Sequence, residues 1–406
     1  MQNKNLLNNR NLLQRPKNPA NLGPVGTQLS YVQPDSSFFS TSNSRSAEAK
    51  LKALTATGAK AISWLNLVNQ DRAPENKLLL ADRSTKNPVP PDAPAVNSVK
   101  KMLEEYKIRT TELPEEMKAY LLENKTLTAV PPVSDEIFIT HIRKINSSYQ
   151  NAIRWIGQEP WLSYYEQNNR NDIRGLYFIN KDQNFKTDLE NFPTLTPERK
   201  ATISEWLVGM CNNQSGNIKA CQREFSKLQE ASKIVSYFNK YLPYAEKTYK
   251  DFFTVKPVRQ ELKWNSEKTK ITQDFIMPSV LPIANWLKSN VEEEWKALNF
   301  QLLVNYIADN RTAPYIQFEA GVTPNVSGST WNKITMDPNY SIDDFSTQWT
   351  IRHEFGHILG FPDCYLEFYN SKTKEMIYYT IEPDNLMCAW GGKLQQSHVL
   401  ELQKAY

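Results

Sequence analysis

Apolar residues recur at helical spacing through most of the first 250 positions. Leu51, Leu54, Ile62, Leu65 and Val68 share one face of a helix predicted over 47–69. Pro88, Pro90, Pro91 and Pro94 then mark an extended joint, after which helices restart over 99–106 and 114–124. Pro131 and Pro132 break the chain again, and Ser134 is placed to cap a helix running through His141 and Tyr149. Thr196-Pro197-Glu198 is a further helix start: a cap, a proline in the first turn and an early acid. Ile203, Trp206, Leu207 and Met210 continue its face, and Phe225, Leu228, Ala231, Val235, Phe238 and Leu242 predict a long amphipathic helix. Residues 1–45, rich in Asn, Gln, Ser and Pro without periodicity, are expected to form a disordered arm.

The pattern changes near 255. Short apolar or alternating runs predict strands over 260–263, 270–276, 301–307, 315–318 and 331–336. Between them a helix over 283–298 carries Leu287, Val291, Trp295 and Leu298 on one face, and 321–329 reads as a loop. Asp343 and Asp344 favour the start of another helix, and 393–406 closes the chain as a last one. The expected fold class is α+β: a mainly helical domain over 46–250, then a mixed domain over 255–406, with no internal repeat.

At 406 residues the chain can bury two or three cores. A net charge of +4, spread along the chain, gives no electrostatic footprint for nucleic acid. No apolar run approaches the roughly 18 residues of a membrane span. The first 16 residues hold Leu6, Leu7, Leu12 and Leu13 but no continuous apolar segment, so no signal peptide is expected in this numbering. Trp155, Trp161, Tyr164 and Tyr165 are numerous enough to line a groove, but core or interface packing accounts for them and is the favoured reading.

The chemistry concentrates in His353-Glu354-Phe355-Gly356-His357-Ile358-Leu359-Gly360-Phe361-Pro362-Asp363. Histidines four apart on a helix lie about 40° apart in projection and about 6 Å apart along the axis, so both can reach one ion. Glu354 points about 100° away from His353, beside the ion, which suits a general base for a water activated there. Ile351, Phe355, Ile358 and Leu359 fall opposite, as a stripe to be buried. Gly360 can end the helix in the left-handed conformation and Pro362 prevents its continuation, so the chain can return Asp363 to the same ion. Three protein ligands leave a fourth position on zinc for water. The bland alternative is an amphipathic helix that merely carries two histidines. Of the other histidines, His141 has no ligand-like neighbour and is expected to pack, and His398 falls on the closing helix, outside the site.

This pattern, with Asn385-Leu386-Met387-Cys388 further on, resembles the metzincin zinc peptidases with aspartate as third ligand, the snapalysin-like subgroup. The specific match covers 353–387, a looser one in layout covers about 255–406, and the first 250 residues resemble no such family. The resemblance implies Zn2+ held by His353, His357 and Asp363, with Glu354 as base and Met387 beneath the ligands in a Met-turn. It implies that the last strand before the site helix is a sheet edge, so that Asn332, Lys333, Ile334, Thr335 and Met336 would bind an extended peptide by strand addition. Ala389 and Trp390 follow the methionine where some relatives place a tyrosine. Substrate would then be a protein or peptide, and the chain is expected to act as a monomer.

Cys211 and Cys221 flank a polar stretch over 212–220, while Cys364 and Cys388 adjoin Asp363 and Met387. Should those two site residues converge, Cys364 and Cys388 meet as well, and two disulfides in an oxidising, extracellular compartment are expected. Alternatives remain open at this point. The helical region can be read as a pro-domain that covers the cleft, with Cys211 or Cys221 on the zinc. It can also be read as a binding or adhesion module, or as the receptor-binding part of a toxin-like protease of narrow specificity. Asp337, Asp343 and Asp344 are acidic loop positions with no assigned ligand.

Overall fold

The computed structural model describes residues 42–81, 94–256, 259–297, 299–308, 312–327 and 331–406. The expected arm therefore lies outside the described residues up to position 41, as do Pro88, Pro90 and Pro91. Its last four positions, 42–45, belong instead to the first helix.

The helical region follows its apolar periodicity. α1 (Ser42–Asn69) leads to a short strand, β1 (Ala95–Asn97), then α2 (Val99–Thr111), α3 (Glu115–Leu121) and the long α4 (Asp135–Gln158). Ser134 caps α4 by accepting from the Ile137 amide, a contact of the kind that contributes about 1 kcal/mol. α5 (Leu162–Gln167), α6 (Arg174–Lys181) and α7 (Phe185–Glu190) are short, followed by α8 (Pro197–Ser215), α9 (Ile218–Phe225) and α10 (Ala231–Phe253). Thr196 caps α8, accepting from the Arg199 amide. Two expectations change here. The polar stretch between Cys211 and Cys221 is mostly helix, broken at Gly216, whose φ of +63° ends α8. The long amphipathic helix expected from Phe225 is two helices, because Phe225 ends α9 and the chain re-enters only at Ala231. Trp155 and Tyr165 are buried, and Trp161 and Tyr164 pack around them against Tyr369 and Met376, so these aromatics fill an interface between the two halves of the chain.

The second half builds small mixed sheets around one helix. β2 (Lys263–Trp264), β3 (Lys270–Ile276), α11 (Leu281–Glu294), β4 (Lys296–Ala297), β5 (Phe300–Ile307), β6 (Tyr315–Phe318), β7 (Asn325–Ser327) and β8 (Lys333–Met336) precede α12 (Phe345–Ile358), β9 (Tyr365–Asn370), β10 (Glu375–Thr380) and α13 (Gln396–Ala405). β3 and β5 pair in parallel, with α11 between them in sequence as the crossover. β6 and β8 also pair in parallel, and the Ile276 amide donates to the Pro314 carbonyl at 2.8 Å, setting the start of β6 beside the end of β3. β9 and β10 form a hairpin whose outer strand takes β1 from the helical half.

Three readings of this half are corrected. The helix expected to 298 stops at Glu294, although Trp295 is still fully buried. The loop over 321–329 contains β7, whose three residues are too few to show an alternation. That strand overturns the expected sheet edge, since β8 pairs with β6 on one side and β7 on the other. Lys333, Ile334, Thr335 and Met336 thus lie in a central strand, and the Asn332 carbonyl accepts from Tyr315, so their ladder groups are already used.

Candidate metal centre

α12 is positioned by what it buries. Ile351, Phe355, Ile358 and Leu359 are fully enclosed, with Phe275 of β3 stacked on Phe355. Arg352, on the next face, reaches Asn290, Glu293 and Glu294 of α11, and Asp344 caps the helix by accepting from Ser346. With those faces fixed, His353, Glu354 and His357 turn toward the remaining side.

Gly360 ends the helix at φ +93°. A β-carbon there would sit 2.1 Å from the Lys256 carbonyl, and the Lys256 amide donates to the Gly360 carbonyl, so close backbone approach and left-handed conformation both demand glycine. Pro362 follows, and Asp363 returns to the histidines. His353 Nε2 and His357 Nε2 each lie 3.1 Å from Asp363 Oδ1, and the three side chains are all buried. Among the described residues this is the one group of acidic, histidine or cysteine side chains arranged to hold a metal ion.

The hydrogen bonds on the far side of each ring decide what this group can do. His353 Nδ1 lies 2.9 Å from the Leu386 carbonyl and His357 Nδ1 lies 2.7 Å from the Phe361 carbonyl. A carbonyl only accepts, so Nδ1 of each ring carries a proton and Nε2 is the nitrogen turned to the carboxylate. Both Nε2 atoms and Asp363 Oδ1 thus converge, with His353 Nε2 in hydrogen-bond contact with Oδ1 and His357 Nε2 without a hydrogen-bond partner. Either a proton or a metal cation between these atoms balances the buried carboxylate, and the orphaned His357 Nε2 is the atom a metal would satisfy. Around a tetrahedral ion with bonds of about 2.0–2.1 Å, ligand atoms are roughly 3.3 Å apart, close to the 3.1 Å of the two histidine–aspartate spacings, and all three atoms lie within 4.8 Å of one another. The residues fit a divalent metal ion.

Glu354 is buried beside this group, and its Oε2 also has no hydrogen-bond partner. Burial pushes its carboxyl up to about 8; the neighbouring Asp363 adds to the rise and His353 opposes it. Met387 lies below: a β-carbon on Gly356 would come within 2.3 Å of its Sδ, so the thioether occupies the space that glycine leaves under the histidines. The turn carrying Met387 is locked to the chain beside Asp363. The Cys364 amide donates to the Met387 carbonyl at 3.0 Å, and Cys364 is bonded to Cys388. The second disulfide joins Cys211 to Cys221, which removes both sulfurs as metal ligands.

His398 lies outside the ligand set but is not idle. It is buried, and its Nε2 is 2.9 Å from Asn385 Oδ1, the same oxygen that accepts from the Met387 amide. His141 packs on α4 with a buried, unpartnered Nδ1, and burial holds its pKa below the usual histidine range. The acidic loop residues are each committed elsewhere: Asp337 to Gly321 and Asn339, Asp343 to Lys77, and Asp344 to the α12 cap.

Two cavities of about 540 and 560 Å3 open on either side of the metal group. The first is lined by His353, Glu354, Trp349 and Trp390, faced by Gln150 and Arg154 of α4. The second is lined by His357, Asp363 and Trp331, faced by Arg170, Tyr244 and Thr248. Tyr365 lines both. Sequence reading missed these contributions from the helical half. A signal existed in the polar stripe Asn146, Gln150, Arg154 and Gln158, spaced four apart beside the buried apolar face of α4. No protein-family model, curated protein or solved structure matches the chain.

Proposed function

We propose that this protein is a zinc-dependent endopeptidase of the metzincin type, with His353, His357 and Asp363 as metal ligands. The observation that carries the reading is the convergence of three metal-ligand atoms, each histidine pinned through Nδ1, beside the buried Glu354 carboxyl, whose Oε2 has no partner. A bound zinc ion would supply Lewis acidity for the scissile carbonyl and for the attacking water. With a cation beside it to favour its ionised form, Glu354 would take the proton of that water on Oε2 and return it to the departing amine, a role typically worth 10²–10⁴-fold in rate. Met387 and the Cys364–Cys388 bridge keep the floor of the site apolar and rigid, so Asp363 does not swing away from the histidines.

Cavities on both sides of the ligands support cleavage within a chain rather than at its end. An extended peptide would not add to β8, whose two sides are taken by β6 and β7. Two disulfides favour an oxidising, extracellular setting, and no described helix is long and apolar enough to cross a membrane. Zinc content and peptide hydrolysis, measured on wild type and Glu354→Gln, test the proposal. The variant should bind one zinc and keep its fold while turnover falls at least about 100-fold. A wild type that binds no zinc, or a variant that cleaves normally, would overturn it.

A further inference from the structure

Besides Glu354, the charged residues lining the cavity on its side of the metal group are Arg154, Glu367 and Asp337, and Asp337 already accepts from Gly321 and Asn339. Arg154 projects from the polar stripe of α4 into the cavity, and Nη2 donates to Glu367 of β9. Glu367 is buried behind the guanidinium and also accepts from Gln158 Nε2 at 3.2 Å, so its position is fixed from two sides. Gln158 is held in turn by the Tyr378 hydroxyl at 2.9 Å. The guanidinium carbon stands 4.8 Å from the Tyr378 ring centre and 5.7 Å from that of Tyr365. Although enclosed by these groups, 36% of the Arg154 side chain remains accessible, and the residue lines the cavity.

Such a setting is more than a clamp between two halves of the chain. A clamp is served best by a guanidinium whose donors are all turned to protein. Here a buried carboxylate orients and neutralises the group from behind, two aromatic faces exclude water from its flanks, and its open side points into the cleft. A planar fork of N–H donors held this way matches a carboxylate, which accepts two parallel hydrogen bonds. Tyr365 connects it to the metal group: its ring lies 6.4 Å from that of His353. Arg154 is therefore a few residue lengths of extended chain, at about 3.3–3.6 Å each, from the ligands.

We propose that the cavity on the Glu354 side is a carboxylate-reading subsite, in which Arg154, oriented by Glu367, binds a substrate carboxylate close to the cleaved bond. This rests on the peptidase reading of the site. The carboxylate can come from an acidic side chain or from the end of the substrate chain.

The test uses the full-length, zinc-loaded protein and amide-capped fluorogenic peptides in which each position around the cleaved bond carries Glu, Gln or Ala in turn. A matched set with Ala throughout and a free C-terminus separates the second source from the first. Wild type should favour Glu over Gln at one position, or the free over the amidated end, by at least about tenfold in kcat/KM. Arg154→Gln combined with Glu367→Gln removes both charges together and leaves no unpaired buried ion. In that double variant the ratio should fall to within about twofold. Arg154→Lys, which keeps charge but loses the fork, should fall in between and covers the case of a misfolded double variant. Glu354-dependent cleavage with no carboxylate preference in either set would overturn the subsite and leave the peptidase reading standing. Absence of any hydrolysis would overturn the peptidase reading, and the subsite is then decided by binding. Titration of Glu354→Gln with the same peptides, read by tryptophan fluorescence, should give at least about tenfold tighter binding of the carboxylate members. Equal binding would end the proposal.

Discussion

Acidification from pH 6.5 to 4 should weaken the turn beneath the metal group, through His398. The Gln395 amide donates to its Nδ1 at 2.8 Å, which leaves Nε2–H to donate to Asn385 Oδ1. A second proton would have to displace the Gln395 donor in a site closed by Trp295 and Phe361. Burial accordingly pushes the pKa down to about 4 from the ordinary 6.5. Between those values the unfolded chain binds a proton that the folded chain does not. The stabilisation is thus complete above 6.5, is lost as pH falls toward 4, and changes no further below that. The difference in pKa corresponds to about 3 kcal/mol. Two carboxylates lie near this turn: Glu382, which accepts from Asn385 Nδ2, and Glu294, which accepts from the Leu394 amide. Both are present in His398→Gln, which retains a donor but does not titrate, so the comparison isolates the imidazole. Urea denaturation at pH 7, 5.5 and 4.5 should show wild type losing about 2–3 kcal/mol more than the variant over that span. Parallel losses in the two proteins would refute the assignment of a neutral buried ring.

Other substitutions separate the parts of the site. Cys364→Ser with Cys388→Ser opens a bridge spanning 24 residues and should cost about 3 kcal/mol on chain entropy, with weakened zinc retention in a chelator titration. Cys211→Ser with Cys221→Ser, across 10 residues, should cost nearly as much in melting experiments but leave zinc affinity unchanged. Gly360→Ala must place a methyl group against the Lys256 carbonyl at positive φ, and should destabilise by at least about 2 kcal/mol in denaturant titration.

The parts legible in the sequence are those whose determinants are local. The ligand spacing of His353 and His357, the buried stripe from Ile351 to Leu359, the glycine stop at 360 and the caps at Ser134 and Thr196 each depend on residues within a turn or two. β3 and β6 also fall where the run of apolar residues places them. The errors arose where a partner elsewhere in the chain decides. β7 is a strand because β8 offers it a ladder, not because Asn325, Val326 and Ser327 favour one. β1 exists because β10 has an open edge. The break between α9 and α10 is invisible to periodicity because Leu228 and Ala231 keep the phase of the stripe while the backbone turns. Glu367 and Arg154 are 213 residues apart, and nothing near either announces the other.

That long-range pairing bears on what the helical half is for. A covering segment that proteolysis removes should part from the second half along a surface, leaving both cores closed. Here Ile173, Tyr177 and Phe252 belong to the same buried cluster as Phe275, Leu302 and Phe355, so the main core crosses the boundary near residue 255. β1 completes the sheet of β9 and β10, and Arg154 neutralises Glu367, a carboxylate whose loss of partner typically costs about 3–5 kcal/mol. A chain begun near residue 255 would lack the strand, the counter-ion and part of its core together, a deficit comparable to the whole stability of a domain. Such a truncation should be insoluble or unfolded by circular dichroism rather than activated. A soluble, active fragment would show instead that the second half folds alone and that the helical half is detachable. The walls of both cavities favour the first outcome, because α4 and α10 supply faces without which the metal group would lie open to water.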